Sequence, residues 1–247
     1  MTGEDPEKAP WAAEIAPDIA ALDRLVSTCR ACPRLVAWRE EVAVVKRAAF
    51  RDEEYWGRPV PGFGPADARI LVVGLAPAAH GGNRTGRMFT GDPSGNVLFG
   101  ALHAVGSATG AHPVSLDDGI ELLDTRLTAP VHCAPPENKP TPEERRRCAP
   151  FLSRELELLG STLRVIVVLG GFGWQALFTV LSAGDWNVPR PRPRFTHGAQ
   201  VVITHPDGRS VTVLGSYHVS QRNTATGKVN PAMIEDILLR AKTIAES

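Results

Sequence analysis

The sequence lacks the features that mark membrane, secreted, fibrous or disordered chains. Its 247 residues contain no run of 18 apolar residues, which excludes a membrane-spanning helix by length. The opening residues, MTGEDPEKAPWAAEIAP, are acidic and carry no apolar stretch of the signal-peptide kind, so a cytoplasmic location is expected. Cysteine is scarce, at four residues. In a reducing compartment these are expected as thiols or metal ligands rather than disulfides. Neither charge sign is in excess, with 27 Lys and Arg against 27 Asp and Glu, so net charge alone points to no polyanionic partner. There is no internal repeat and no low-complexity tract. Gly and Pro together make up about 18% of the chain, below the roughly 25–30% that signals disorder.

What is present fits a globular chain with long shaped loops. Hydrophobic residues are 43% and charged residues 22%. A chain of this length buries about three quarters of its unfolded surface, enough for a core without staples. Charge is uneven along it. Residues 1–23 hold one Lys against six acids, whereas residues 186–230 hold six basic residues against Asp207. A basic stretch of that kind could meet phosphates, but a solvated surface compensated by the acidic N-terminus is the more ordinary reading.

Three short β-branched runs predict buried parallel strands: residues 69–74, 165–169 and 211–214, each ending at glycine (Gly74, Gly170, Gly215). A weaker strand is expected at 123–127. Helices are expected from Asp18, then over 35–50, 94–107, 142–159, 172–183 and 231–245, the last with Asn230 as cap and Pro231 in the first turn. Residues 1–17 read as a flexible tail and 18–247 as one domain. The fold class expected is α/β, a three-layer α/β/α sandwich around a small, mainly parallel sheet.

In such folds the ligand sits beyond the carboxyl ends of the strands. The two most unusual loops lie there: GLAPAAHGGNRTGRMFTGDPSG (74–95) and GSYHVSQRNTATG (215–227). Both are small, polar and glycine-rich, a composition that brings backbone N–H groups close to a ligand. The cysteines, Cys29, Cys32, Cys133 and Cys148, form C-x2-C and C-x14-C pairs. Four thiolates suit zinc or an iron–sulfur cluster, and four unrelated buried thiols remain the alternative. A thioredoxin-like redox role is disfavoured because no strand immediately precedes Cys29.

These two loops resemble the two signature motifs of the uracil-DNA glycosylase superfamily, most closely its family 5. The resemblance spans roughly residues 25–245, and the cysteines match in order and approximate spacing. It implies a [4Fe–4S] cluster on the four cysteines. It also implies base excision repair: hydrolysis of the N-glycosidic bond of uracil in DNA, and of other deaminated bases such as hypoxanthine, to leave an abasic site. The enzyme would be monofunctional and base-flipping, with uracil-containing DNA as its partner; a monomer is the default expectation, which the resemblance does not address.

Carried over residue by residue, the resemblance makes His218 the donor to the uracil O2, stabilising the departing anion. The polar water-holding residue that many relatives carry near the start of the first motif is replaced here by Ala76. Asp92 is the candidate substitute, to orient water and stabilise a cation at C1′, with helix capping as its other reading. Asn138 is expected in the active site, with Glu137 as a weaker alternative. Phe89 should stack on the flipped base, and Gly74 and Ala76 should leave room for it. Arg84, Arg87, Gln221, Arg222 and Asn223 are expected on the DNA, and Arg145, Arg146 and Arg147 beside Cys148 as a basic knob. No lysine is evidently placed for Schiff-base chemistry, which is the ground for a monofunctional reaction.

Overall fold

The computed structural model describes residues 6–247. A five-stranded sheet runs in the order β2-β1-β3-β5-β4. The strands are β1 (Ile70–Val73), β2 (Thr125–Thr128), β3 (Val165–Leu169), β4 (Gln200–Thr204) and β5 (Ser210–Ser216). The first four in spatial order are parallel, and β4 is antiparallel to β5. Val73 lies opposite both Thr128 and Val168, and Leu169 opposite Ser216, so the motif-bearing strands end nearly level.

Continuous apolar strands need cover on both faces. Alternation along β1 divides the core. Ile70 and Val72 face α5 (Pro93–Ala104) and α9 (Pro231–Glu246), meeting Leu98, Leu102 and Ile237. Leu71 and Val73 face α6 (Pro142–Leu158) and α7 (Gly170–Ala183), meeting Leu152, Trp174 and Phe178. Each such side chain, fully buried, contributes about 1.5–3 kcal/mol. The result is the three-layer α/β/α sandwich expected.

Caps set the helix starts. Asp18 accepts from Ala21 N–H at the start of α2 (Ile19–Thr28), and Asn230 accepts from Met233 N–H at the start of α9. Thr141 and Glu144 form a reciprocal capping box on α6. A buried Arg126 on β2 pairs with Glu155 of α6 and Asp23 of α2, both at 2.6 Å, pinning these helices to the sheet edge.

Three expectations change. The tail over 1–17 is not loose throughout: α1 (Ala9–Ala12) and the turn after it bury Ala9, Ala13 and Ala16 beside Leu22, Leu25 and Phe151. Residues 1–5 lie outside the described residues. The helix expected over 35–50 is α3 (Pro33–Val45), which ends where Lys46 takes a positive φ. Strand β4 went unforeseen because it is an edge strand with Val202 54% exposed, though Asp207-Gly208 between two apolar runs is a hairpin signal.

Candidate active site

At the carboxyl ends of β1, β2 and β5 the loops enclose a cleft of about 450 Å³, within the size range of ligand sites. The segment after β1 contributes Leu75–Ala78, Met88, Phe89 and Asp92–Ser94; the one after β2 contributes Ala129 and Asn138; the one after β5 contributes His218 and Ser220–Arg222. Of the expected residues, His218, Asp92, Asn138, Ala76, Phe89, Gln221 and Arg222 therefore share one cavity.

His218 lies two residues past the end of β5. Gly170, at φ 90°, leaves the space it needs, since a Cβ there would stand 3.0 Å from the His218 Cβ. The Asn223 side-chain amide donates to the His218 carbonyl at 2.8 Å. Its ring nitrogens have no hydrogen-bond partner among the described residues. Burial lowers its pKa to about 4, so the imidazole is neutral at physiological pH and keeps one N–H to donate.

Asp92 has both roles open to it. Its Oδ1 accepts from Gly95 N–H at 2.8 Å, capping α5. It also lines the cleft, with Gly81 packed so closely that a Cβ there would stand 2.6 Å from Oδ2. Burial raises its pKa, opposed by the N–H groups of Gly95 and Ser94 and by Arg84.

Asn138 projects from the segment after β2, and both it and Glu137 adopt positive φ (55° and 54°). Non-glycine residues are held there only when their surroundings over-determine them, often at functional sites. Glu137 pairs with Lys139 at the surface and does not line the cleft. Phe89 is a further positive-φ residue, at 52°.

Three of the expected placements are corrected. Gly74 does not line the cleft: its N–H is bonded to Thr128 O at 2.9 Å, and its missing side chain makes room for the Phe89 ring, 2.5 Å from where a Cβ would sit. Arg84, on the short helix α4 (Gly82–Thr85), is buried, donating to Glu53, to His80 O and to Gly91 O, so it organises the motif rather than facing DNA. Arg87 is 1% exposed and gives a two-pronged pair to Asp118, at 2.8 and 2.6 Å. Asn223 is half-buried, and its amide is held on the His218 carbonyl. Its helix, α8 (Gln221–Ala225), capped by Ser220, was not foreseen. The basic knob is also largely engaged: Arg146 and Arg147 pair with Glu143, and Arg145 lies over the Phe172 ring.

Away from the cleft, Cys29, Cys32, Cys133 and Cys148 line one small cavity of about 20 Å³. No three His, Cys, Asp or Glu side chains among the described residues are arranged to hold a single metal ion. The donor set nevertheless suits a larger thiolate-bound group. Arg39, 2% exposed, donates to Cys133 Sγ at 2.9 Å and to Cys29 O at 3.1 Å. Its nearest carboxylate, Glu40, is 3.9 Å away and already held by Arg30. A buried guanidinium so poorly paired calls for negative charge, which neutral thiols do not supply and thiolates would. As thiols, burial pushes Cys32 up to about 11 and Cys133 to about 12, with the neighbouring cysteines adding to the rise.

The family model described as "Uracil DNA glycosylase superfamily" matches residues 61–242, most of the chain. The chain belongs to that superfamily. It is 53% identical to the type-5 uracil-DNA glycosylase of Mycobacterium bovis over 232 residues, covering 93% of this chain and 83% of that protein. It is 48% identical to the type-5 enzyme of Thermus thermophilus, with 92% and 99% covered. To that of Pyrobaculum aerophilum it is 43% identical, with 89% and 90% covered. These relatives place it in the type-5 family. No helix among the described residues is long and apolar enough to cross a membrane.

Proposed function

We propose that the protein is a cytoplasmic uracil-DNA glycosylase of base excision repair, acting as a monomer. The observation that carries this reading is the convergence of a neutral His218, the carboxylate of Asp92, Asn138 and Phe89 on one cleft at the strand ends. A base in a duplex cannot reach such a cleft, so the nucleotide is extruded into it. The Phe89 ring then stacks on the base, and His218 donates an N–H to O2. As the N1–C1′ bond breaks, its electron pair moves onto the uracil ring. That hydrogen bond counters the growing negative charge in a site where few other dipoles compete. Asp92 orients a water toward C1′ and stabilises the cationic sugar. The water oxygen bonds to C1′, and its proton passes to the carboxylate and on to the departing base. Asn138 holds the base edge or the water with its amide.

No amine enters this scheme, so the reaction stops at the abasic site. The cleft wall around the base is mostly apolar, with Ala76 where many relatives have a polar group. Selectivity comes from polar groups left unpaired by the wrong ligand, so hypoxanthine and other deaminated bases are accepted. We assign Cys29, Cys32, Cys133 and Cys148 to a [4Fe–4S] cluster, which when bound supplies a thiolate-held structural cross-link between α3, the segment after β2 and α6.

The test is incubation with labelled oligonucleotides carrying uracil, hypoxanthine or normal bases, followed by alkali. Uracil-dependent cleavage that disappears in His218→Ala, with DNA binding retained, supports the reading. Full activity in that variant would remove His218 from the mechanism.

A further inference from the structure

The base cleft does not end at Asp92. On the far side lies a second groove of about 370 Å³, which shares Ala78, Asp92, Pro93 and Asn138 with the cleft. The two make one channel passing over the carboxylate. The new stretch is walled by Trp38, Arg47, Phe50 and His80.

Three donors in this wall are unanswered by the protein, the first being the buried Trp38 indole N–H. Arg47 is exposed, and its guanidinium has no ion pair or hydrogen bond among the described residues. His80 is held by the buried Tyr55. The Tyr55 hydroxyl accepts from the main-chain N–H of Arg47 at 3.4 Å and lies 3.1 Å from His80 Nδ1. A hydroxyl that donates to Nδ1 leaves the imidazole proton on Nε2, and Nε2 has no partner among the described residues. The acids nearby are committed elsewhere: Glu53 to Arg84, Glu137 to Lys139, and Asp92 to the cap of α5.

We propose that Arg47 and His80 hold the backbone phosphodiester adjoining the extruded nucleotide. The inference rests on the glycosylase reading. With the base in the cleft, its sugar lies at Asp92, and the strand must leave along the channel. A phosphate in the groove would stand near the Asp92 carboxylate, and two anions there repel. Arg47 offsets that repulsion and gives the phosphate a charge-assisted partner. Tyr55 is a positioning residue, since it acts through His80.

The experiment measures binding of duplexes carrying a non-cleavable 2′-fluoro uridine analogue, with each phosphate flanking the lesion replaced in turn by a neutral methylphosphonate. At one position the replacement should weaken the wild type about tenfold and Arg47→Met, which keeps only the His80 contact, far less. In Arg47→Met the slope of log K against log salt should fall by about 0.9, the loss of one phosphate contact. Tyr55→Phe should lose part of the same coupling. An unchanged salt slope, or methylphosphonate losses equal in wild type and Arg47→Met at every position, would overturn the proposal. So would displacement of the duplex by inorganic phosphate at matched ionic strength through Arg47, which would mark a free-anion site. Cleavage of a normal uracil duplex by the wild type is scored separately. Coupling without cleavage would keep the groove and reject the activity; cleavage without coupling would do the reverse.

Discussion

The side chain of Asn223 reaches back five residues and donates to the main-chain carbonyl of His218 at 2.8 Å. The hydrogen bond closes α8 onto the end of the β5 segment and holds the histidine's backbone while its ring stands in the cleft. The first prediction follows from it. Asn223→Ala should lower kcat on uracil-DNA by roughly 2- to 13-fold, the rate equivalent of a hydrogen bond's ~0.5–1.5 kcal/mol. KM should change little, and the ring resonances of His218 should broaden. A raised KM with unchanged kcat would instead make Asn223 a DNA contact.

His218 should titrate far below an ordinary histidine. Burial lowers its pKa to about 4, so its ring NMR shifts should stay flat from pH 8 to 5 and move near pH 4. The linked stability effect has a definite sign. Between about pH 4 and about 6.5 the unfolded chain binds a proton there that the native state does not, so stability climbs with pH across that window and levels off above it. A midpoint near 6.5 would show a solvated imidazole and remove the case for a neutral donor.

Gly74→Ala should displace the Phe89 ring, which stands 2.5 Å from the position of the new methyl. Overpacking of this kind costs about 1–3 kcal/mol. A lowered Tm should therefore accompany a several-fold loss in kcat/KM. Phe89→Leu in the same background should recover stability but not activity. Recovery of both would make Phe89 a packing residue only.

Arg39→Met tests the thiolate pocket with a contrast in sign. In metal-free protein the variant removes a poorly paired buried charge, so stability should hold or rise. In protein reconstituted with iron and sulfide, the variant, lacking the bond to Cys133 Sγ, should take up less iron and melt lower than the wild type. Equal destabilisation of both forms would reduce Arg39 to packing.

Much of the site was legible in the chain because its glycine-rich loops sit next to strands whose apolar runs are unmistakable. His218, Asp92 and Phe89 were named from those loops, and they meet Asn138, from the proline-flanked segment 133–140, in one cleft. His80 lay within the first motif, whereas Arg47 and Tyr55 carried no sequence signal. They belong to an irregular stretch after α3 that only folding brings against residues 78–81.

The sequence by itself determined the parallel strands β1, β3 and β5, the helix starts at Asp18 and Asn230, and the placement of both motifs at strand ends. Those depend on local periodicity and capping, which a few neighbouring residues decide. The tertiary structure alone decided which arginines are free. Arg84 and Arg87 look like DNA contacts in a basic, glycine-rich loop, yet Glu53 and Asp118, each 31 residues away in sequence, neutralise them inside the protein. Arg47, outside any motif, keeps its charge for a partner. A guanidinium reads the same in either case, and only the three-dimensional position of the nearest carboxylate separates the two.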